Sequence, residues 1–219
     1  MTIEWNIFDP DAPSLVSRRN LPHIDMTGAL TFVTFRLADS MPHSVVEKWH
    51  NEIEEWLKRN ELTGQTVEQI LESTTVENKL KAELRRFKNR AWHGHLDDCH
   101  GACLLRAPEV RKHVASSLLH FTGDRYDVER FVVMPNHVHV MIQMRTGHEL
   151  RKQFREIQRY SAREINKHLN RKGRLWQGEP FDHVVRSEVQ FEYLRKYISD
   201  NPAKARLRED EYTLWIDSE

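Results

Sequence analysis

Phe131-Val-Val-Met-Pro-Asn-His137-Val-His139-Val-Met-Ile-Gln143 is the most informative segment of the chain. It reads as a strand entered through a Pro-Asn corner. Side chains alternate across a strand, so residues two apart share a face. Val138, Val140 and Ile142 therefore point into a core, and His137, His139, Met141 and Gln143 point the other way. Two imidazoles side by side on a stiff backbone are half of a metal site. A His-x-His pair is more often a surface feature of a half-exposed strand. The segment that follows weighs against that here.

From His139 the strand runs on to about Arg145, roughly 20 Å at the usual rise. Thr146-Gly147 breaks it, and a helix is expected over 148–170. Thirteen residues of helix also climb roughly 20 Å. A helix packed antiparallel to the strand would bring Tyr160 back to the level of the histidines, with Glu164 one turn further on the same face. The expected constellation is two imidazoles, one carboxylate and one phenol, a metal site with a nucleophile.

The chain has 219 residues, with 33 basic and 33 acidic side chains and a formal net charge of zero. Such a balance argues against indiscriminate polyanion binding. The basic residues are nevertheless concentrated between Arg145 and Arg174, where only Glu149, Glu156 and Glu164 oppose them. Charge runs are most often solvated helix faces. Beside a metal-and-tyrosine site, this one suggests a phosphate-bearing substrate. Two cysteines, Cys99 and Cys103, provide no disulfide framework. No run of about 18 apolar residues and no signal-peptide core is present, which reads as a cytoplasmic protein.

The flanking sequence supplies the rest of an α+β fold. Residues 1–28 lack periodicity and read as an extended lead-in with Pro10, Pro13 and Pro22. A strand is expected over 29–37 and amphipathic helices over 43–59 and 77–91, separated by a polar stretch 60–76. Residues 92–103, WHGHLDDCHGAC, have a Cys-x3-Cys spacing within the zinc range. No second Cys/His pair follows at finger spacing, so a polar loop is the preferred reading. Pro108 begins a helix to about 121, and 125–134 is a strand pairing antiparallel with the His-x-His strand. Ser187 and Gln190 make a capping box for a last helix over 188–199, stopped near Asn201-Pro202, and the tail from 203 is loosely docked. The division expected is 1–28 lead-in, 29–186 main domain, and 187–219 final helix and tail. The architecture expected is a sandwich of an antiparallel sheet with helices on one face.

Several segments in order carry a resemblance: MPNHVH (134–139), the tyrosine in QRYSAREIN (158–166), and GRLWQ…FDHVVR…YISDNPAKARL (173–207). Together with SRRNLPH (17–23), TFVTFRLADSMP (31–42) and ACLLRAPEV (102–110), they resemble the REP-associated tyrosine transposases, within the single-tyrosine HUH transposases. The resemblance implies a ferredoxin-like fold with the HUH strand at the sheet centre. It implies cleavage and rejoining of single-stranded DNA through a 5′-phosphotyrosine with Mg²⁺ or Mn²⁺, on small palindromic hairpins. Carried across, His137 and His139 are metal ligands and Tyr160 is the nucleophile. The third ligand in such enzymes lies four residues after the tyrosine and is often an amide; here that position is Glu164. Tyr193 and Tyr197, also four apart on a helix, resemble the tyrosine pair that some HUH nucleases use, but Tyr160 is the preferred nucleophile and core packing beside Phe191, Leu194 and Ile198 is the plainer reading of Tyr197. Lys152, Arg155, Arg159, Arg163, Lys167 and Arg174 are expected to meet DNA phosphates, and Trp176 a splayed base. The protein would act near the nucleoid as a monomer or homodimer. Two other readings remain open, a palindrome-binding relative that no longer cuts and, from the ligand set alone, a non-haem iron enzyme.

Overall fold

The computed structural model describes residues 3–7, 15–18, 22–25 and 28–217. Its chain separates into two compact units. One comprises Met1–Ser40 with Ala102–Glu219, and the other Met41–Gly101.

The larger unit is built on a five-stranded antiparallel sheet. Its strands are β3 (Leu30–Arg36), β4 (Tyr126–Val133), β5 (His137–Met144), β6 (Phe181–Val184) and β7 (Thr213–Ile216), in the order β6-β3-β5-β4-β7. The strand bearing the histidines is thus the middle one. Helices α4 (Pro108–Leu119) and α5 (Leu150–His168) complete a β-α-β-β-α-β run from β3 to β6, the ferredoxin-like pattern. A final helix α6 (Glu188–Lys204) follows. Within the 1–28 lead-in, β1 (Leu15–Arg18) and β2 (Pro22–Asp25) pair as a separate antiparallel hairpin; Pro10 and Pro13 lie outside the described residues.

The alternation read from the sequence sorts β5 correctly. Val138, Val140 and Ile142 join Val33, Phe35, Val128, Phe131 and Val133 in one core, closed by Val110, Val114 and Leu118 of α4 and Phe154, Ile157 and Ile165 of α5. Met141 joins Leu30, Phe32, Val132 and Met134 in a second core, closed by Phe191, Leu194 and Ile198 of α6. Helices therefore cover both faces of the sheet, not one, with α4 and α5 opposite α6. This is why β4 and β5 are buried along their whole length.

Local signals explain most boundaries. Pro108 occupies the first turn of α4, where its missing N–H costs nothing. Gly147, at φ 85°, makes the left-handed turn between β5 and α5. Ser187 accepts from Gln190 N–H, and the Gln190 side chain accepts from Arg186 N–H rather than closing a full box. The helix so started continues through Pro202 to Lys204 instead of stopping before the proline. The tail is docked, not loose. β7 pairs with β4, Trp215 stacks on Phe131 at 5.5 Å, and Arg111 donates to Asp210 O and Thr213 Oγ1.

The smaller unit is helical: α1 (His43–Arg59), α2 (Val67–Glu72) and α3 (Asn78–Asp97). Ile53, Leu57, Ile70 and Leu84 form its buried core. Trp49 packs on Trp92 and Trp56 on Phe87, so α1 and α3 run antiparallel. Thr66 and Gln69 cap α2 reciprocally. The helix expected to stop near residue 91 runs on to Asp97, because the apolar face continues to the fully buried Leu96. His93 and His95 are therefore helical, not in a loop.

A candidate metal and nucleophile site

His137 and His139 are both fully buried on β5, on the face covered by α6. Asn136 Oδ1 lies 2.7 Å from His137 Nδ1. Thr34 Oγ1, delivered by the β3–β5 register opposite His139, lies 2.7 Å from His139 Nδ1. An amide oxygen only accepts, so His137 carries its proton on Nδ1. The Thr34 hydroxyl can donate to or accept from His139 Nδ1, so it leaves both His139 tautomers open. The two Nε2 atoms stand 3.0 Å apart. Either one proton or one cation between them satisfies both. Two nitrogens sharing one divalent ion, with bonds of about 2.1 Å, sit roughly 3.0–3.4 Å apart. The donor set therefore fits a metal, with both rings pre-oriented by partners behind them.

The phenol beside this pair belongs to α6. Tyr197 Oη lies 3.3 Å from His139 Nε2. Its ring meets that of His139 edge-on at 5.2 Å, Phe32 stacks on His139 at 5.4 Å and meets Tyr197 edge-on at 6.1 Å, and Lys204 Nζ sits 5.3 Å from the Tyr197 ring centre. Asn201, one turn beyond Tyr197 on the same helix face, is fully buried. A buried ion pair holds this helix to β4. Glu129 bridges Arg130 and Arg195, and Arg130 donates to Ser199 Oγ. A bulge between Val128 and Arg130 is what puts Glu129 and Arg130 together on the α6 side.

Tyr160 and Glu164 are not brought to the histidines. Their helix, α5, packs on the valine face of β5, the opposite side of the sheet. Tyr160 is 47% exposed, with Arg163 stacked over its ring. It lines a cavity of about 570 Å³ with Ser116, His120, Phe121 and Arg159. Glu164 pairs with Arg163 at 2.9 Å. It also faces His113 of α4, whose pKa is lowered by desolvation, Lys112 and His168 and only partly restored by Glu164. The expected convergence is thus corrected. Strand and helix rises fix how far along the sheet a residue returns, not which face its helix covers.

Among the expected DNA contacts, Lys152, Arg155, Arg159, Arg163 and Lys167 are exposed along α5, and Arg174 is exposed beyond it. Trp176 is not available for stacking in this arrangement. It is 5% exposed, packs edge-on against Phe35 at 4.8 Å and donates its indole N–H to Ser161 Oγ. Sequence spacing alone does not choose Thr34, Tyr197 or Asn201 for this face of the sheet, although Tyr197 is weighed there and ranked behind Tyr160. The signal that would have found two of them is the Tyr-x3-Asn spacing, a phenol followed one turn later by an amide.

Residues 106–201 match the family model described as "Transposase IS200 like", a span that includes both histidines, Tyr197 and Asn201. Among solved structures, the chain is similar to a REP-associated tyrosine transposase bound to a REP hairpin. That likeness has 15% identity and a TM-score of 0.41, over 87% of this chain and 74% of the other. It is also similar to a protein of Deinococcus radiodurans R1 assigned as a transposase, at 11% identity and a TM-score of 0.32, over 85% of this chain and 98% of that one. No curated protein matches.

Proposed function

We propose that this chain, whose residues 106–201 match the IS200-like transposase family model, cuts and rejoins single-stranded DNA at hairpins with Tyr197 as its nucleophile. The observation that carries the reading is the meeting of three atoms. The Nε2 atoms of His137 and His139 stand 3.0 Å apart, and the Tyr197 hydroxyl stands 3.3 Å from the second of them. Tyr160 has no such partner. Asn201 restores the spacing that the family resemblance implies, an amide four residues after the tyrosine, where Glu164 had departed from it.

In this reading His137, His139 and the Asn201 amide oxygen hold a divalent ion, and Mn²⁺ or Mg²⁺ suits a mixed nitrogen and oxygen set that leaves positions open. When bound, the ion polarises the scissile phosphate and orients it. The protein does the rest. A phenol with an ordinary pKa near 10 is a weak nucleophile at neutral pH. Lys204 Nζ, 5.3 Å from the Tyr197 ring centre, brings a positive charge close to where the phosphate would lie. The phenolate oxygen attacks phosphorus, the bond to the 3′ oxygen breaks, and that oxygen leaves as a hydroxyl after taking a proton from solvent. The 5′ phosphate stays on Tyr197. The new ester keeps the bond energy, so a second 3′-hydroxyl reverses the step and joins strands without an external energy source. Palindromic hairpins are the proposed substrate because the ordered segments from 17 to 207 resemble REP-associated transposases. The exposed cations of α5 supply phosphate contacts.

Incubating the protein with a labelled single-stranded hairpin and Mn²⁺ tests this. Wild type and Tyr160→Phe should both give a denaturation-resistant protein–DNA adduct, and Tyr197→Phe none. Hairpin binding without any adduct would identify a palindrome-binding protein that does not cut.

A further inference from the structure

We propose that His95, Asp98 and His100 form a second metal site, for a divalent ion of borderline softness such as zinc, that staples the helical insertion Met41–Gly101. Each of the three presents a ligand atom within 4.8 Å of the other two. His100 Nε2 and Asp98 Oδ2 are 3.9 Å apart. Ligands around tetrahedral zinc stand roughly 3.3–3.5 Å apart. The gap closes by side-chain rotation, since Asp98 and His100 are both partly exposed.

His95 itself is 6% exposed, on the last turn of α3. Its Nε2 lies 3.0 Å from Glu52 Oε2 on α1, a carboxylate outside the cluster that holds the ring in place. Two imidazoles with one carboxylate are a donor set that zinc accepts. The backbone is arranged for the same purpose. α3 ends at Asp97, and the left-handed Cys99 (φ 56°) turns the chain between Asp98 and His100. The carbonyl end of a helix carries partial negative charge and favours a cation. Neither cysteine is among the clustered donors, so the zinc-like Cys-x3-Cys spacing is not what makes this site.

The insertion has a reason to need such a staple. Its fully buried core is Ile53, Leu57, Ile70 and Leu84, with Trp49, Trp56 and Phe87 only partly buried around it. Small units of this size gain most from a metal or disulfide. An ion on His95, with Glu52 held against the same ring, would tie the end of α3 to α1.

The test uses the full chain carrying His137→Ala and His139→Ala, so that the paired imidazoles of β5 contribute nothing. Zinc is added, excess is removed, and bound metal is measured by mass spectrometry alongside the thermal midpoint. The expected result is one bound zinc and a midpoint raised by zinc. Adding His100→Ala or, separately, Asp98→Asn should weaken zinc at least tenfold and abolish the shift, with the helical circular dichroism unchanged. No bound zinc in the double-alanine chain, or zinc bound equally after His100→Ala and Asp98→Asn, would overturn the proposal. The readout is independent of DNA chemistry, so a protein that binds zinc here yet forms no adduct fails only the transposase reading.

Discussion

Thr34 and Asn136 hold the rings of the paired histidines in orientation, and they differ in how visible they were beforehand. Asn136 is part of the Pro-Asn corner and adjoins His137 in sequence. Thr34 reaches His139 only through the β3–β5 register, across 105 positions, and no local pattern announces it. Replacing Thr34 by valine keeps the shape and removes the partner of His139 Nδ1. Mn²⁺ affinity measured by titration calorimetry should fall 10–100-fold, the usual effect of losing a group that orients a ligand. Trp176 is the opposite case, a residue conspicuous in sequence for a role that its burial withdraws. Trp176→Ala should cost about 3–5 kcal/mol in chemical denaturation, and leave the salt dependence of DNA binding as it was.

At the scale of elements, the middle strand was legible because alternation is a property of the backbone, and Val138, Val140 and Ile142 went where the period of two sends them. The tyrosine helix was not. Both α5 and α6 carry a tyrosine at a plausible level, and sequence spacing does not say which face of the sheet each covers. That choice is made by long-range packing: Phe154, Ile157 and Ile165 against the valines, and Phe191, Leu194 and Ile198 against Phe32 and Met141. The bulge on β4 was equally hidden, although it places the ion pair that holds α6. Glu129→Gln removes the one anion between Arg130 and Arg195 and should destabilise the protein by about 3 kcal/mol, as breaking a buried pair does. Adduct yield should drop with it, since Arg195 and Ser199 flank Tyr197 on the helix. A denaturation midpoint unchanged by Glu129→Gln would show that the pair does not hold the helix.

For the molecule as a whole, the antiparallel sheet with the histidine strand at its centre was readable from strand and turn signals. The separation of residues 41–101 as a compact unit was not, because helical periodicity over 43–91 reads the same within a main domain or beside it. Among the described residues no helix is long and apolar enough to cross a membrane. Zero net charge with an exposed row of cations on α5 predicts DNA affinity that is local in origin. Replacing Lys152, Arg155 and Arg159 together by alanine should lower the slope of log affinity against log salt by about 2, at roughly 0.7 per single-strand phosphate contact. An unchanged slope would move the DNA to another surface. The account depends most on which tyrosine bears the phosphate. Trapping the adduct on a single-stranded hairpin, digesting it and sequencing the DNA-linked peptide by mass spectrometry decides this. The nucleotide should be found on Tyr197, and a nucleotide on Tyr160 would contradict the site described.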